Sequence, residues 1–310
     1  MKNQTPGAPK FSVLGFEGGY HGKFLNTLSI SDYDTPKNSL KYGLSKQSWP
    51  IAPFPKIKFP YEDNYTHNRN EENRCVEAAE KIIKESVRGE QVAAMIIEPI
   101  QIQSGIRYAS SQFYNDLIEV CYRNKVTFIC DETQTGGWAS GRPFMHTNWN
   151  SEKPVHITTF AGRMQMSGLF MQNQFRARHA SQIVSTWNGD AVKLQTFAKL
   201  FYLVNNKDWI DTHSAQFFMS IKAELLETMK KTSFTISNIR GVGKIFAFDV
   251  DHELLRNELV HLARNAGFKV NSLGKRTIGF TPSLLFAEFH FSLFTEFLRK
   301  AKPSTQFLGH

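Results

Sequence analysis

Two periods of apolar and polar residues alternate along the first half of the chain. Residues 11–16 (Phe-Ser-Val-Leu-Gly-Phe) read as a strand, and residues 48–60, with four prolines, read as extended loop. In residues 71–87, Val76, Ala79, Ile83 and Val87 recur at helical spacing, with acids early and bases late. Residues 92–97 are a continuous apolar run ending at Glu98, a pattern that predicts a strand buried on both faces. Residues 111–124 predict a helix through Phe113, Leu117, Val120 and Cys121, and 126–130 a second buried strand, ending at Asp131. Residues 156–160 and 183–186 are shorter strand candidates.

Strands alternating with helices at this spacing imply an α/β fold, a mostly parallel sheet covered by helices. In such sheets ligands sit beyond the carboxyl ends of the strands, where Glu98 and Asp131 stand. After Asp190 a long helical stretch runs through Leu194, Ala198, Phe201 and Tyr202, and a second helix covers 213–228. The period then shifts. Short strands are expected at 234–239, 244–250, 269–270 and 277–280, with helices at 254–266 and 286–301. This α+β segment suggests a large domain over 1–231, a small C-terminal domain over 232–303 and a loose tail over 304–310.

Composition adds limits. The chain has 310 residues, 41% hydrophobic and 21% charged, which excludes a disordered, collagenous or coiled-coil protein. No apolar run reaches the ~18 residues of a spanning helix. The net charge is +9, but the bases are scattered and cluster no further than pairs such as Lys230-Lys231 and Lys275-Arg276. A nucleic-acid footprint is a clustered stripe, so no nucleic-acid partner is expected. Cys75, Cys121 and Cys130 form no paired spacing and read as buried apolar thiols. No His/Cys/Asp/Glu group shows metal-ligand spacing. The N-terminus has no signal-peptide core, and Pro6 and Pro9 disfavour an amphipathic presequence helix.

Four phrases carry a family resemblance: Trp49-Pro-Ile-Ala-Pro-Phe-Pro55, Ile97-Glu-Pro-Ile-Gln101, Asp131-Glu-Thr-Gln-Thr-Gly-Gly137 and Thr186-Trp-Asn-Gly-Asp190. In this order they resemble the 4-aminobutyrate aminotransferases, which are pyridoxal-phosphate-dependent enzymes of fold type I. The resemblance implies that fold over nearly the whole chain. It implies that Asp131 faces the protonated ring nitrogen of pyridoxal phosphate, that Gln134 bonds its 3-oxygen and that Tyr20 stacks on the ring, with His21 beside it. It further implies that Thr186 reaches the cofactor phosphate of a partner subunit in a homodimer. Lys23 and Glu98 are implied in substrate binding, and the mitochondrial matrix is implied as the compartment, with the cytoplasm the alternative.

The departures from the family bear on activity. The cofactor-bearing lysine of the family corresponds to Arg163, and no lysine lies between Lys153 and Lys193. An arginine has no free lone pair at pH 7, so it neither forms an imine nor shuttles a proton. The substrate-binding arginine becomes Lys23, and the arginine that partners the active-site glutamate becomes Gly279, leaving Glu98 to be protonated or open to water. The family's phosphate cup and first strand would precede Met1, so an incomplete large domain and an exposed sheet edge are expected. The expectation is an inactive relative with a scaffold, binding or regulatory role. It would bind pyridoxal phosphate weakly or not at all, and assemble with itself or with another chain. The alternative is an active 4-aminobutyrate:2-oxoglutarate aminotransferase.

Overall fold

The computed structural model describes residues 10–32, 47–85, 90–206 and 211–304. Six strands form the first sheet: β1 (Phe11–Phe16), β2 (Ile51–Ala52), β3 (Gln91–Ile97), β4 (Thr127–Glu132), β5 (Ile157–Phe160) and β6 (Gly168–Met171). Their spatial order is β2-β1-β3-β4-β5-β6, parallel throughout except that β6 runs antiparallel to β5. The apolar run of β3 has neighbours on both edges, and Met95 and Ile97 are fully buried. Besides the short α1 (Leu25–Ser29), the helices of this part are α2 (Tyr65–Glu85) and α3 (Ser111–Arg123). Ser110 caps α3 by accepting the Phe113 N–H, and Phe113, Leu117, Val120 and Cys121 form the buried stripe that the spacing predicts.

The second half continues with α4 (Ala191–Asn205) and α5 (Asp211–Met229), then β7 (Ile236–Val242), β8 (Ile245–Val250), α6 (Glu253–Asn265), β9 (Asn271–Leu273), β10 (Thr277–Phe280) and α7 (Glu288–Lys300). These strands form an antiparallel sheet of order β7-β8-β10-β9. Phe217 and Ile221 of α5, Phe246 and Phe248 of β8, and Phe291 and Phe294 of α7 share one core. The phenylalanine-rich C-terminal stretch is thus the packed face of a helix. Arg240 of β7 ties the two sheets together, donating from Nε to the Gly105 and Ile106 carbonyls, each at 3.1 Å.

Three expectations are corrected and one strand is added. Residues 183–186 are an exposed turn, not a strand: Ile183 is 55% and Val184 72% exposed, and no neighbouring strand offers them a ladder. Residues 269–270 lie before the strand, which starts at Asn271. Within the proline-rich 48–60 segment, Ile51 and Ala52 pair with Gly15 and Phe16 of β1. Prolines are tolerated there because the strand is an edge, and the Pro50 carbonyl still accepts the Gly15 N–H at 3.1 Å. Strand β6 was not anticipated, because Gly168, Leu169 and Phe170 are exposed and show no alternation. Residues 1–9 and 305–310 lie outside the described residues.

Glu72 of α2 is fully buried and anchors the start of α3. It accepts the Ser110 N–H and Ser110 hydroxyl, both at 2.8 Å, the Tyr61 hydroxyl at 3.3 Å, and Arg69 Nη1 at 3.1 Å. Arg69 also donates to Asp116 of α3 at 2.6 Å. Removing this carboxylate strands the Ser110 donors in a dry site. Glu72→Ala should lower the unfolding free energy by about 3 kcal/mol, read from urea unfolding curves. A loss below about 1 kcal/mol would show the network to be redundant.

Candidate active site

The site begins where β3 and β4 end. The turn after β1 carries Gly18 at φ +79°, a left-handed conformation that glycine adopts without strain. That turn brings Tyr20 back over the sheet, and its N–H donates to Glu98 Oε2 at 2.7 Å. Glu98 Oε1 accepts Gln134 Nε2 at 3.1 Å. Glu98 is 2% exposed. Burial raises its pKa well above the ordinary carboxylate value, and neighbouring Asp131 raises it further, against the two donors. Of the two outcomes expected for an unpaired Glu98, burial favours the protonated form.

Asp131 is also buried but resolves the same problem differently. His21 Nδ1 lies 2.7 Å from Oδ2, while Oδ1 accepts the Thr133 N–H at 3.1 Å and the Thr159 hydroxyl at 2.9 Å. Burial works to raise its pKa, but His21 and the Thr133 donors outweigh it and hold the group below its ordinary value. The pKa values of two carboxylates on adjacent strands are thereby driven apart, one raised and one lowered. His21 Nε2 is buried without a hydrogen-bond partner. Thr159 had no sequence signal of its own. It is found because the β4–β5 register sets it directly beside Asp131.

Arg163 sits in a turn after β5, packed against the loop that follows Asp131. Gly137, at φ +89°, permits that contact, since a Cβ there would lie 2.6 Å from Arg163 Cβ. The guanidinium donates to the Gln134 carbonyl at 2.8 Å and to the Thr281 carbonyl at 3.3 Å, and burial lowers its pKa. Tyr20, His21, Glu98, Asp131, Gln134 and Arg163 are therefore linked through one another. Lys23 and Thr186 are exposed, and among the described residues neither contacts that group. At position 279 a Cβ would meet Leu273 Cδ1 at 2.3 Å and Ile106 Cδ1 at 3.1 Å, so apolar side chains fill the space.

Cys130 Sγ, a Glu132 oxygen and a His146 nitrogen lie within 4.8 Å of one another, a grouping that the spacing of the sequence did not reveal. Glu132 already accepts the Thr135 hydroxyl, the Met145 N–H, the His146 N–H and contacts His146 Nδ1, all at 2.8 to 2.9 Å. That carboxylate holds the loop 135–146 and has no lone pair to spare for an ion. Cys75, Cys121 and Cys130 are buried free thiols, and burial raises the pKa of each.

The family described as Aminotransferase class-III matches residues 1–301. The chain belongs to this family. It is 34% identical over 295 residues to a mouse protein named 4-aminobutyrate aminotransferase, mitochondrial, covering 95% of this chain and 58% of that one. It is 33% identical over 301 residues to a probable 4-aminobutyrate aminotransferase of Caenorhabditis elegans, covering 97% and 62%. The chain thus spans about three fifths of the curated relatives it matches. A lysine aminotransferase of Mycobacterium tuberculosis superposes with a TM-score of 0.80 at 20% identity, over 96% of this chain and 67% of that one. A transaminase of the marine bacterium Virgibacillus gives 0.79 at 16% identity, over 94% and 67%. These likenesses show the fold, that of fold-type-I pyridoxal-phosphate enzymes. Class-III aminotransferases use pyridoxal phosphate. Position 163 itself offers a guanidinium already engaged by two carbonyls and no amine.

The Glu98 assignment has a measurable consequence. A carboxyl whose folded pKa lies above its unfolded value contributes stability that is full below its ordinary value of 4.5 and is lost as pH rises through the folded value. Thermal midpoints of the wild type should therefore fall relative to those of Glu98→Gln as pH is raised above 4.5. Parallel profiles would show that Glu98 is ionised in the native protein.

Proposed function

We propose that this class-III aminotransferase-like chain does not transaminate, and that it uses the inherited site for non-covalent binding in a scaffold or regulatory role. The observation that carries the reading is Arg163, half-buried and bonded to the Gln134 and Thr281 carbonyls at the position where the resemblance calls for the cofactor-bearing lysine. Three further features support it. Among the described residues Glu98 has no guanidinium partner, the Leu273 side chain occupies the space beside Gly279, and Lys23 keeps a charge but lacks the planar fork that grips a carboxylate twice. At most, pyridoxal phosphate would be held non-covalently, with Asp131 and Gln134 near its ring, Tyr20 and His21 beside it and Thr186 serving a neighbouring subunit. Groups that act as a unit fail as a unit, so restoring one recovers little.

The test combines labelling with turnover. Incubation with pyridoxal phosphate, borohydride reduction and digestion should give no pyridoxyl group on a peptide from residues 155–170. Neither the wild type nor Arg163→Lys should convert 4-aminobutyrate with 2-oxoglutarate. Turnover in the wild type would favour the active 4-aminobutyrate aminotransferase. Turnover in Arg163→Lys alone would show that the other losses matter less.

The same reading includes assembly. Trp187 is 70%, Val192 74% and Tyr202 61% exposed, and α4, apolar on most of its surface, has Val204 as its buried residue. An apolar face of this kind is expected to be covered by a partner. Among the described residues no helix is long and apolar enough to cross a membrane. Light scattering at micromolar concentration should show a homo-oligomer, or aggregation relieved by a second chain, and a clean monomer with cooperative unfolding would refute this. Several relatives are named mitochondrial, and the mitochondrial matrix is the compartment we assign, with the cytoplasm as the alternative that fractionation distinguishes.

A further inference from the structure

Arg163 lines a cavity of about 820 Å³ that opens beside the loop after β4 and is closed on its far side by the end of α6 and the segment leading into β9. Two more cations line it, Arg264 and Lys269, and no aspartate or glutamate does. None of the three forms an ion pair among the described residues. The guanidinium of Arg163 spends two of its five N–H groups on carbonyls, and burial lowers its pKa with no neighbouring carboxylate acting against it. A half-buried cation without a counter-ion is partly desolvated, and an anion placed against it offsets that cost. Arg264, at the end of α6, and Lys269, in the segment leading into β9, are exposed, so they raise the local concentration of anions and can take a second charge. The remaining walls are largely hydrogen-bonding groups such as Gln103, Thr133 and Asn271. The volume suits a small metabolite.

We propose that this cavity binds a small molecule carrying at least two anionic groups, one seated on Arg163 and the other held by Arg264 and Lys269. The proposal rests on the non-covalent reading of Arg163. In that reading the exchange of an amine for a guanidinium removes a nucleophile and supplies a planar anion clamp. Carboxylate and phosphate both match the fork, and the shared requirement is two negative charges on one small molecule.

Calorimetric titration of the full chain without pyridoxal phosphate tests it, using pyrophosphate as the phosphate probe and glutarate as the dicarboxylate probe. Acetate and 1,4-diaminobutane serve as the monoanion and dication controls. Saturable binding of at least one dianion is expected, weakening as salt is added. Preference for pyrophosphate assigns a phosphorylated ligand, and preference for glutarate a dicarboxylic one. The exposed double variant Arg264→Gln/Lys269→Gln, which leaves the core untouched, should lose about tenfold in affinity. Arg163→Gln should lose at least as much, and Arg163→Lys less. Absence of saturable binding by either dianion, affinity unchanged in the double variant, or equal binding of diaminobutane would overturn the proposal. A pyridoxyl label within residues 155–170 would instead overturn the non-covalent reading, so the two failures are separable.

Discussion

A carboxylate removed from water must be met by donors or give up its charge, and the centre of this protein is built around that rule. Three acids stand at the ends of two neighbouring strands, and each meets the rule in its own way. Glu98 has two donors and a nearby like charge, and its proton is favoured. Asp131 gathers His21, Thr133 and Thr159 and keeps its charge. Glu132, one residue on, belongs to the opposite face of the strand and spends its oxygens on the loop 135–146. The turn after β1, the register of β4 against β5 and the path of that loop all follow from supplying these donors.

Arg163 is the cation set against this arrangement, yet it pairs with none of the three acids. It bonds backbone carbonyls instead, and so cross-links the loop after β4 to the segment after β10. Lysine and arginine carry the same charge at neutral pH, but a lysine can lose its proton and act as a nucleophile. A guanidinium keeps its proton and offers directed donors. The fold surrounding position 163 is that of a transaminase, and the donors available at the position are those of a guanidinium.

Much of this was legible before any coordinates. The apolar runs at 92–97 and 126–130 placed Glu98 and Asp131 at strand ends, because burial on both faces leaves a distinctive pattern. The helical stripe of α3 was equally clear. Thr159 and His146 were not legible, since register and loop path are long-range properties with no local periodicity. Residues 183–186 misled because β-branched residues suggest strand wherever they fall, and only a neighbouring ladder makes them one. Strand β6 was hidden for the opposite reason, being an exposed edge without alternation.

The filling of position 279 couples it to its neighbours. The Leu273 methyl occupies the space that a side chain at 279 would need, with Ile106 beside it. A larger residue at 279 therefore meets the end of a buried leucine, which must turn aside to admit it. Tight packing thus makes the two positions interdependent, so that substitutions at 279 and 273 are expected to be non-additive.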